Sequence, residues 1–276
     1  MNFFTFCVFI NRIEKQELED ALYMLVLSMK KNIPNYHLSC FINYNVNFER
    51  FSDFNIKFYQ YYDNNTLSCY SDNWLNMSFN KLNIYKDLYD NTGINYIWID
   101  LDTIITTDIS YMNLYSNIFI ENGGSSNRIS YLFSNNDTVT IPLKKYIQGN
   151  FWKINIDIYK QIMSLYEVIK SNNLILKYDT QTLFSYYIYY YLQGNLENIY
   201  ILGNNIKSET INGLSIWDKN GNTHATIEGL RNLYLDNNIL RSKFYENKEI
   251  HIVSFTFFTL NQIKKDNYFK EVFNLF

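Results

Sequence analysis

An apolar segment that runs directly into two carboxylates is the feature that most limits how this chain can fold. Tyr96-Ile97-Trp98-Ile99 is followed at once by Asp100-Leu101-Asp102. Four consecutive apolar residues are typical of a strand buried on both faces of an α/β sheet, and such sheets bind ligands beyond the carboxyl ends of their strands. In extended backbone, residues i and i+2 point to the same side, so we expect the two carboxylates to converge.

Two converging carboxylates repel each other unless a cation lies between them. Carboxylate oxygens are the ligands preferred by hard divalent ions, and such an ion completes its shell readily with the oxygens of a diphosphate. The acid pair therefore predicts a site for Mn²⁺ or Mg²⁺. The alternative is that Asp100 and Asp102 only cap a turn or a helix at the surface.

Composition and charge exclude several classes of protein. Lys and Arg total 24 against 27 acidic residues, with a formal net charge of -3 and no basic run, so nucleic acid is not an expected partner. Three cysteines, Cys7, Cys40 and Cys69, form no C-x-x-C pair, which argues against a disulfide framework and favours a reducing compartment. No segment has the ~20 apolar residues of a transmembrane helix, so we expect a cytoplasmic protein.

Hydrophobic periodicity predicts alternating strands and helices and hence an α/β fold. The first part of the chain predicts strands at Phe3–Ile10, Leu38–Ile42 and Ile56–Tyr61, with helices at Glu14–Lys31 and Asp72–Tyr89. The second part predicts strands at Ile118–Ile120, Ile129–Phe133, Val139–Ile141, Phe151–Ile154, Ile199–Leu202, Ser208–Trp217 and Glu249–Phe255, with helices at Ile156–Ser171, Thr180–Leu192 and Asn261–Phe273. We expect one domain over residues 1–276, with the acid pair at the ligand-binding edge of its sheet.

The acid pair and the segment before it resemble a known enzyme family. Phe79-x-Lys81-Leu82, followed by Ile97-Trp98-Ile99-Asp100-Leu101-Asp102-Thr103, is similar to the sugar-nucleotide-dependent glycosyltransferases of the GT-A fold. The similarity is to the glycogenin and lipopolysaccharide galactosyltransferase group and to the capsular-sugar transferases. It implies a Rossmann-like mixed central sheet flanked by helices, with residues 1–105 as the nucleotide-binding half, residues 106–276 on the acceptor side and a C-terminal helical extension.

The resemblance also implies roles for individual residues. Asp100 and Asp102 would bind the metal, Asp100 would also contact the donor, and Lys81 would serve the donor phosphates or sugar. His251 resembles the family's late metal-ligating histidine, and His224 is the alternative. The nucleotide base would lie near the first strand, where the candidate contacts are Phe9, Asn11 and Tyr61.

Two further segments resemble family motifs around the transferred sugar. Gln148-Gly149-Asn150-Phe151 is similar to a stretch whose polar groups face the donor sugar, which makes Asn150 a candidate contact. Tyr178-Asp179-Thr180-Gln181 is similar to a segment that opens a helix at the sugar, which makes Gln181 and Asp179 the candidate catalytic residues. Asp179 would be the base in an inverting enzyme.

The predicted function is therefore transfer of a sugar from a nucleotide sugar, UDP in most of the resembled group, to a hydroxyl of a glycan, lipid or protein acceptor. The closest resembled enzymes retain the anomeric configuration. Two alternatives stay open at this point. One is a haloacid-dehalogenase-type phosphatase with Asp100 as nucleophile and Asp102 as acid/base, and the other is a non-catalytic carbohydrate-binding domain that uses the many tyrosines.

Overall fold

A computed structural model of the chain has a mixed α/β fold. It describes residues 1–9, 14–61, 72–121, 128–193, 195–202, 210–211, 214–215, 233–237, 239–243 and 247–254. The first part alternates strands and helices, in the order that hydrophobic periodicity predicts. Its elements are β1 (Asn2–Cys7), α1 (Lys15–Asn32), β2 (His37–Ile42), β3 (Ile56–Gln60), α2 (Asp72–Thr92) and β4 (Ile97–Ile99).

Helix α1 illustrates why these segments fold as predicted. Its apolar residues Leu18, Leu22, Leu25 and Met29 recur at helical spacing, and all four are almost fully buried. The predicted helix differs from α1 by one residue at each end. The connection between β2 and β3, residues 43–55, includes a 3₁₀ turn at Phe48–Phe51.

The second part of the chain adds strands and two further helices. They are β5 (Thr103–Ile105), β6 (Ile118–Glu121), β7 (Ile129–Phe133), β8 (Asn136–Pro142), β9 (Ile147–Lys153), α3 (Ile156–Ser171), α4 (Asp179–Tyr186) and β10 (Tyr200–Leu202). Helix α3 has the predicted bounds, and Asn155 caps it by accepting a hydrogen bond from the Ile158 amide at 2.9 Å. Helix α4 continues as a π-helical turn over Tyr187–Tyr191.

The last described residues form short strands. They are β11 (Thr210–Ile211), β12 (Leu214–Ser215), β13 (Leu233–Asp236), β14 (Ile239–Ser242), β15 (Lys248–Ile250) and β16 (Ile252–Ser254). The prediction of one continuous strand over residues 249–255 was wrong, because the chain leaves the extended pairing at His251 and changes sheets there. The predicted helix over residues 261–273 lies outside the described residues.

Seven strands form the central sheet, in the order β10-β6-β9-β4-β1-β2-β3. Every pairing in it is parallel except those of β9, which runs antiparallel to both β4 and β6. The sheet is therefore mixed. Two smaller sheets have the strand orders β12-β16-β5 and β11-β15-β14-β13. Strands β7 and β8 form a separate hairpin.

Hydrophobic side chains cover both faces of the central sheet. Along β1, Phe3 and Cys7 pack on the face covered by α1, whereas Phe4 and Phe6 pack on the opposite face with residues of α2, α3 and α4. Burial on both faces explains why the strands are almost continuously apolar. No helix among the described residues combines the length and the apolar composition needed to cross a lipid bilayer.

Candidate functional site

Asp100 lies immediately beyond the carboxyl end of β4. Its amide donates to the Asn150 carbonyl at 2.8 Å, which continues the β4–β9 pairing by one residue. One oxygen of its carboxylate, Oδ1, accepts hydrogen bonds from Trp98 Nε1 at 2.7 Å and from Lys81 Nζ at 3.1 Å. Asp100 is therefore fixed by the strand on one side and by two donors on the other.

Lys81 comes from α2, and the structure brings it to the acid pair as the topology predicted. The residue is 6% exposed, and its ammonium lies 4.4 Å from the centre of the Trp98 ring. The ammonium also approaches the Gly149 carbonyl at 3.5 Å. An ammonium has three N–H donors, and these two oxygens occupy two of them. The third remains for a ligand.

Asp102 follows in the turn that connects β4 to β5, not in an extended strand as the spacing suggested. The two carboxylates nevertheless face each other closely enough to interact. Burial and then the negative charge of Asp100 raise the pKa of Asp102 well above its usual range, and the charge of Lys81 opposes this only partly. Without a cation, Asp102 therefore binds a proton more readily than an ordinary aspartate, and a bound divalent ion would displace that proton.

The antiparallel strand β9 supplies the opposite wall. Gly149 lies so close to α4 that an added Cβ would meet Gln181 Cγ at 3.0 Å, so only hydrogen fits between the two without a shift. The side-chain oxygen Oδ1 of Asn150 is buried and has no hydrogen-bond partner among the residues that the structure describes. An acceptor atom left in this state has a free capacity for a ligand hydroxyl. Gly149, Asn150 and Gln181 therefore lie with Lys81 and Asp100 around one edge of the sheet.

Asp179 has a structural role at the start of α4. Its backbone has a φ of +32°, in the left-handed region, and its side chain is buried. Its carboxylate accepts hydrogen bonds from the Gln181 amide at 3.0 Å and from the Thr180 hydroxyl at 3.3 Å. These bonds hold the first turn of the helix and thereby position Gln181 beside Gly149.

The predicted base-binding residues do not form one surface. Tyr61 packs on the face of the sheet that carries α2, and its hydroxyl accepts a hydrogen bond from Asn80 at 2.7 Å, next to Lys81. Phe9 packs instead on the α1 face, where Lys15 lies 5.3 Å from its ring. Asn11 lies outside the described residues. Of the two candidates that the structure describes, Tyr61 is the one bonded to α2, the helix that carries Lys81.

The structure does not bring His251 to the acid pair. In the β5–β16 ladder Thr103 pairs with Ser254, whereas the His251 carbonyl accepts from the Thr106 amide at 2.9 Å, about 10 Å further along the strand. The ring contacts the Tyr111 hydroxyl through Nδ1 at 2.9 Å and Glu249 through Nε2 at 3.4 Å. Burial lowers the pKa of His251, and Glu249 opposes that shift.

This placement changes the candidate ligand set. Across the described ranges, no three His, Cys, Asp or Glu side chains form a group that could hold a metal ion. Among the described residues, the candidate metal ligands are then the carboxylates of Asp100 and Asp102. Oxygens of the substrate and of water would complete the coordination shell. His224, the alternative histidine, lies outside the described residues.

Sequence reasoning missed two members of the site. Trp98 donates a hydrogen bond to Asp100 through its indole nitrogen, and its ring lies against the Lys81 ammonium. Its position two residues before Asp100 could have indicated that the two side chains lie on the same side of the strand. The Gly149 carbonyl could not be anticipated, because it depends on how β9 pairs with β4. No family model and no curated protein matches this sequence. The functional interpretation therefore depends on the geometry and on the motif.

Proposed function

We propose that the protein is a metal-dependent glycosyltransferase that uses a nucleotide-sugar donor. The observation that carries the proposal is the group of Lys81, Asp100 and Asp102 beyond the carboxyl end of β4, with Asn150 and Gln181 opposite. Ligands bind at this edge in open α/β sheets. The arrangement combines oxygen ligands for a cation with a buried ammonium, which suits a diphosphate bound through a divalent ion.

Asp100 and Asp102 would hold Mn²⁺ or Mg²⁺, and the ion would displace the proton that the raised pKa of Asp102 favours. The ion supplies charge neutralisation to the diphosphate leaving group. Lys81 has an N–H donor left for a phosphate oxygen, and its burial strengthens that bond. Trp98 keeps the Asp100 carboxylate in place while the donor binds.

The other wall would bind the sugar. The unpaired Oδ1 of Asn150 would accept a hydrogen bond from a sugar hydroxyl, and the side chain of Gln181 would lie beside it. Holding the acceptor hydroxyl near the anomeric carbon is mainly a task of positioning. By the resemblance, the donor is a UDP sugar, and the transfer retains the anomeric configuration.

Thermal unfolding with UDP-glucose, GDP-mannose and a CMP sugar, each with and without Mn²⁺, tests the proposal. A donor at 100 times its Kd stabilises by about 2.7 kcal/mol, which raises the Tm of a chain of this size by roughly 5–10 °C. We expect this increase for one nucleotide class and only with the metal. Asp102→Asn should abolish it, whereas Asp53→Asn, an exposed acid in a turn, should not.

The same experiment separates the alternatives. If no nucleotide sugar raises the Tm in a metal-dependent way, the proposal is wrong. Metal-dependent hydrolysis of p-nitrophenyl phosphate without donor binding would identify a phosphatase. For that reaction Asp100 would be the nucleophile, yet its Oδ1 already accepts two hydrogen bonds that reduce its nucleophilicity.

A further inference from the structure

The β7–β8 hairpin has an unusual outer face. Residues of β7 alternate between exposed and buried, and the exposed positions are apolar: Ile129 is 65% exposed and Tyr131 is 47% exposed. Residues 175–178 run alongside this strand, because the Lys177 amide donates to the Leu132 carbonyl at 3.0 Å. That segment ends in Tyr178, which is 49% exposed. Exposed aromatic groups gathered in this way indicate a binding surface.

A lysine joins the two tyrosines. The Lys177 ammonium lies 5.7 Å from the centre of the Tyr131 ring and 5.2 Å from that of Tyr178. It has no carboxylate within ion-pair distance among the residues that the structure describes. We call Tyr131, Lys177 and Tyr178 the tyrosine platform.

The surroundings of the tyrosine platform are basic. Residues 128–146 and 172–178 contain four basic residues and one acid, although the whole chain carries a net charge of -3. The basic residues are Arg128, Lys144, Lys145 and Lys177, and the acid is Asp137. Glu121, which lies nearby at the end of β6, is hydrogen-bonded to Tyr189 and is only partly exposed. This local charge favours an anionic ligand.

A chain of contacts connects the platform to the candidate site. The Tyr178 ring meets the buried Tyr146 ring edge-on at 6.0 Å, and the Tyr178 amide donates to the Thr182 hydroxyl at 2.8 Å. Tyr178 directly precedes Asp179, whose carboxylate positions Gln181 against Gly149. The Gly149 carbonyl in turn approaches the Lys81 ammonium. The platform is therefore continuous with the wall that faces the acid pair.

We propose that the tyrosine platform binds the acceptor as an acidic glycan. Tyrosine faces stack on the apolar C–H face of a pyranose ring, and Lys177 would pair with a carboxylate or phosphate on the same sugar. Two rings with a lysine between them span one or two sugar residues, far less than the ~800 Å² per partner of a protein interface. The proposal rests on the proposed function in one respect, the identification of the bound glycan as the acceptor.

Calorimetric titration of the full chain with three carbohydrates, without metal or nucleotide, tests the proposal. The probes are tetragalacturonate, mannose 6-phosphate and the neutral maltotetraose, with an oligodeoxythymidylate of eight residues for comparison. At least one of the acidic sugars should bind at least tenfold more tightly than maltotetraose. Tyr178→Ala and Tyr131→Ala should each weaken that binding about tenfold, as expected when a central aromatic contact is removed.

Further variants separate the ring from the charge. Tyr178→Phe keeps the ring and should retain most of the affinity, whereas Lys177→Gln should remove the preference for the acidic sugars over maltotetraose. The matched control is Tyr234 in β13, over which Lys243 lies at 5.8 Å. Tyr234→Ala and Lys243→Gln should change nothing. Unchanged Tm values would show that the platform variants remain folded, and Lys177→Gln tests the charge with the rings intact.

Every outcome of these titrations either supports or overturns the proposal. Acidic-sugar binding that is lost in the platform variants supports the proposal. Absence of binding by both acidic sugars, equal binding of maltotetraose, tighter binding of the oligonucleotide or indifference to the platform variants overturns it. If donor binding persists while the acidic sugars fail, the platform proposal alone is wrong. If acidic sugars bind at the platform and no nucleotide sugar binds, the proposed transferase activity is wrong and the binding surface remains.

Discussion

Lys81 is the residue on which most contacts of the candidate site converge. Its ammonium joins a carboxylate, a carbonyl and an indole ring, and it is almost completely buried. Lys81→Met keeps most of the volume but leaves the Gly149 carbonyl without this donor and Asp100 with one donor fewer. We expect the free energy of unfolding in urea to fall by about 1–3 kcal/mol.

Lys86 on the same helix provides the control. It pairs with Asp90 four residues on, and the two side chains are 32% and 53% exposed. Lys86→Met should leave the free energy of unfolding within experimental error, because water replaces an exposed partner readily. If the two variants unfolded at the same urea concentration, the buried role of Lys81 would be refuted.

Individual residues also show which parts of the site a local sequence pattern can predict and which it cannot. Lys81, Asp100 and Asp102 could be expected together from the sequence, because the motif of the resembled family includes all three within about 20 residues. His251 comes from the distant end of the chain, and its position depends on the register of β16 against β5. A shift of a few residues in that register separates it from the acid pair, and local periodicity does not determine such a register.

At the scale of elements, the contact between β9 and α4 is the tightest feature of the site. Gly149→Ala would place a methyl group 3.0 Å from Gln181 Cγ, so the side chain of Gln181 or the helix must move. The φ of Gly149 is not in the left-handed region, so the cost is steric. We expect a loss of about 1–2 kcal/mol in the free energy of unfolding.

A double-mutant cycle identifies the cause of that loss. Removal of the side chain in Gly149→Ala/Gln181→Ala makes room for the new methyl group. The two substitutions should therefore be non-additive, with the double variant more stable than the sum of the single effects predicts. Strict additivity would mean that Gly149 and Gln181 do not contact each other.

Helices and parallel strands were predictable, whereas irregular pairing was not. Helix α3 and helix α1 carry a 3.6-residue apolar period that belongs to the local sequence. The turn at Asp102 and the short strand β5 carry no such signal, because β5 exists through its pairing with β16. The hairpin of β13 and β14 was missed because each strand has only four residues, Leu-Tyr-Leu-Asp and Ile-Leu-Arg-Ser, too few to show a period-2 pattern.

At the scale of the whole molecule, two thiols report on the integrity of the central sheet. Cys7 in β1 and Cys40 in β2 are fully buried, and burial raises the pKa of the Cys40 thiol. We expect N-ethylmaleimide to leave both unmodified in the native protein and to modify both in urea. Peptide mass spectrometry measures each site separately. Rapid modification of either thiol without denaturant would mean that this part of the sheet is not formed as described.

The α/β class followed from the order of elements, whereas the mixed character of the sheet was expected only from the family resemblance. The sequence of β9 is that of an ordinary apolar strand, and its antiparallel direction is evident only from its pairing with β4 and β6. That reversal places Gly149 and Asn150 beside Asp100, at the edge where the parallel strands end. The wall opposite the acid pair is thus a product of topology, which explains why the motif predicted one half of the site better than the other.

The pairing of β5 with β16 also has a consequence for biosynthesis. Thr103 lies opposite Ser254, which is 151 residues further along the chain. At about 5–20 residues per second, the ribosome completes β16 roughly 8–30 s after β5. Until then the nascent chain contains Lys81, Asp100 and Asp102, but β5, the strand that follows the acid pair, lacks its partner β16. The order of translation therefore delays completion of the candidate cation site until residue 254 has been made.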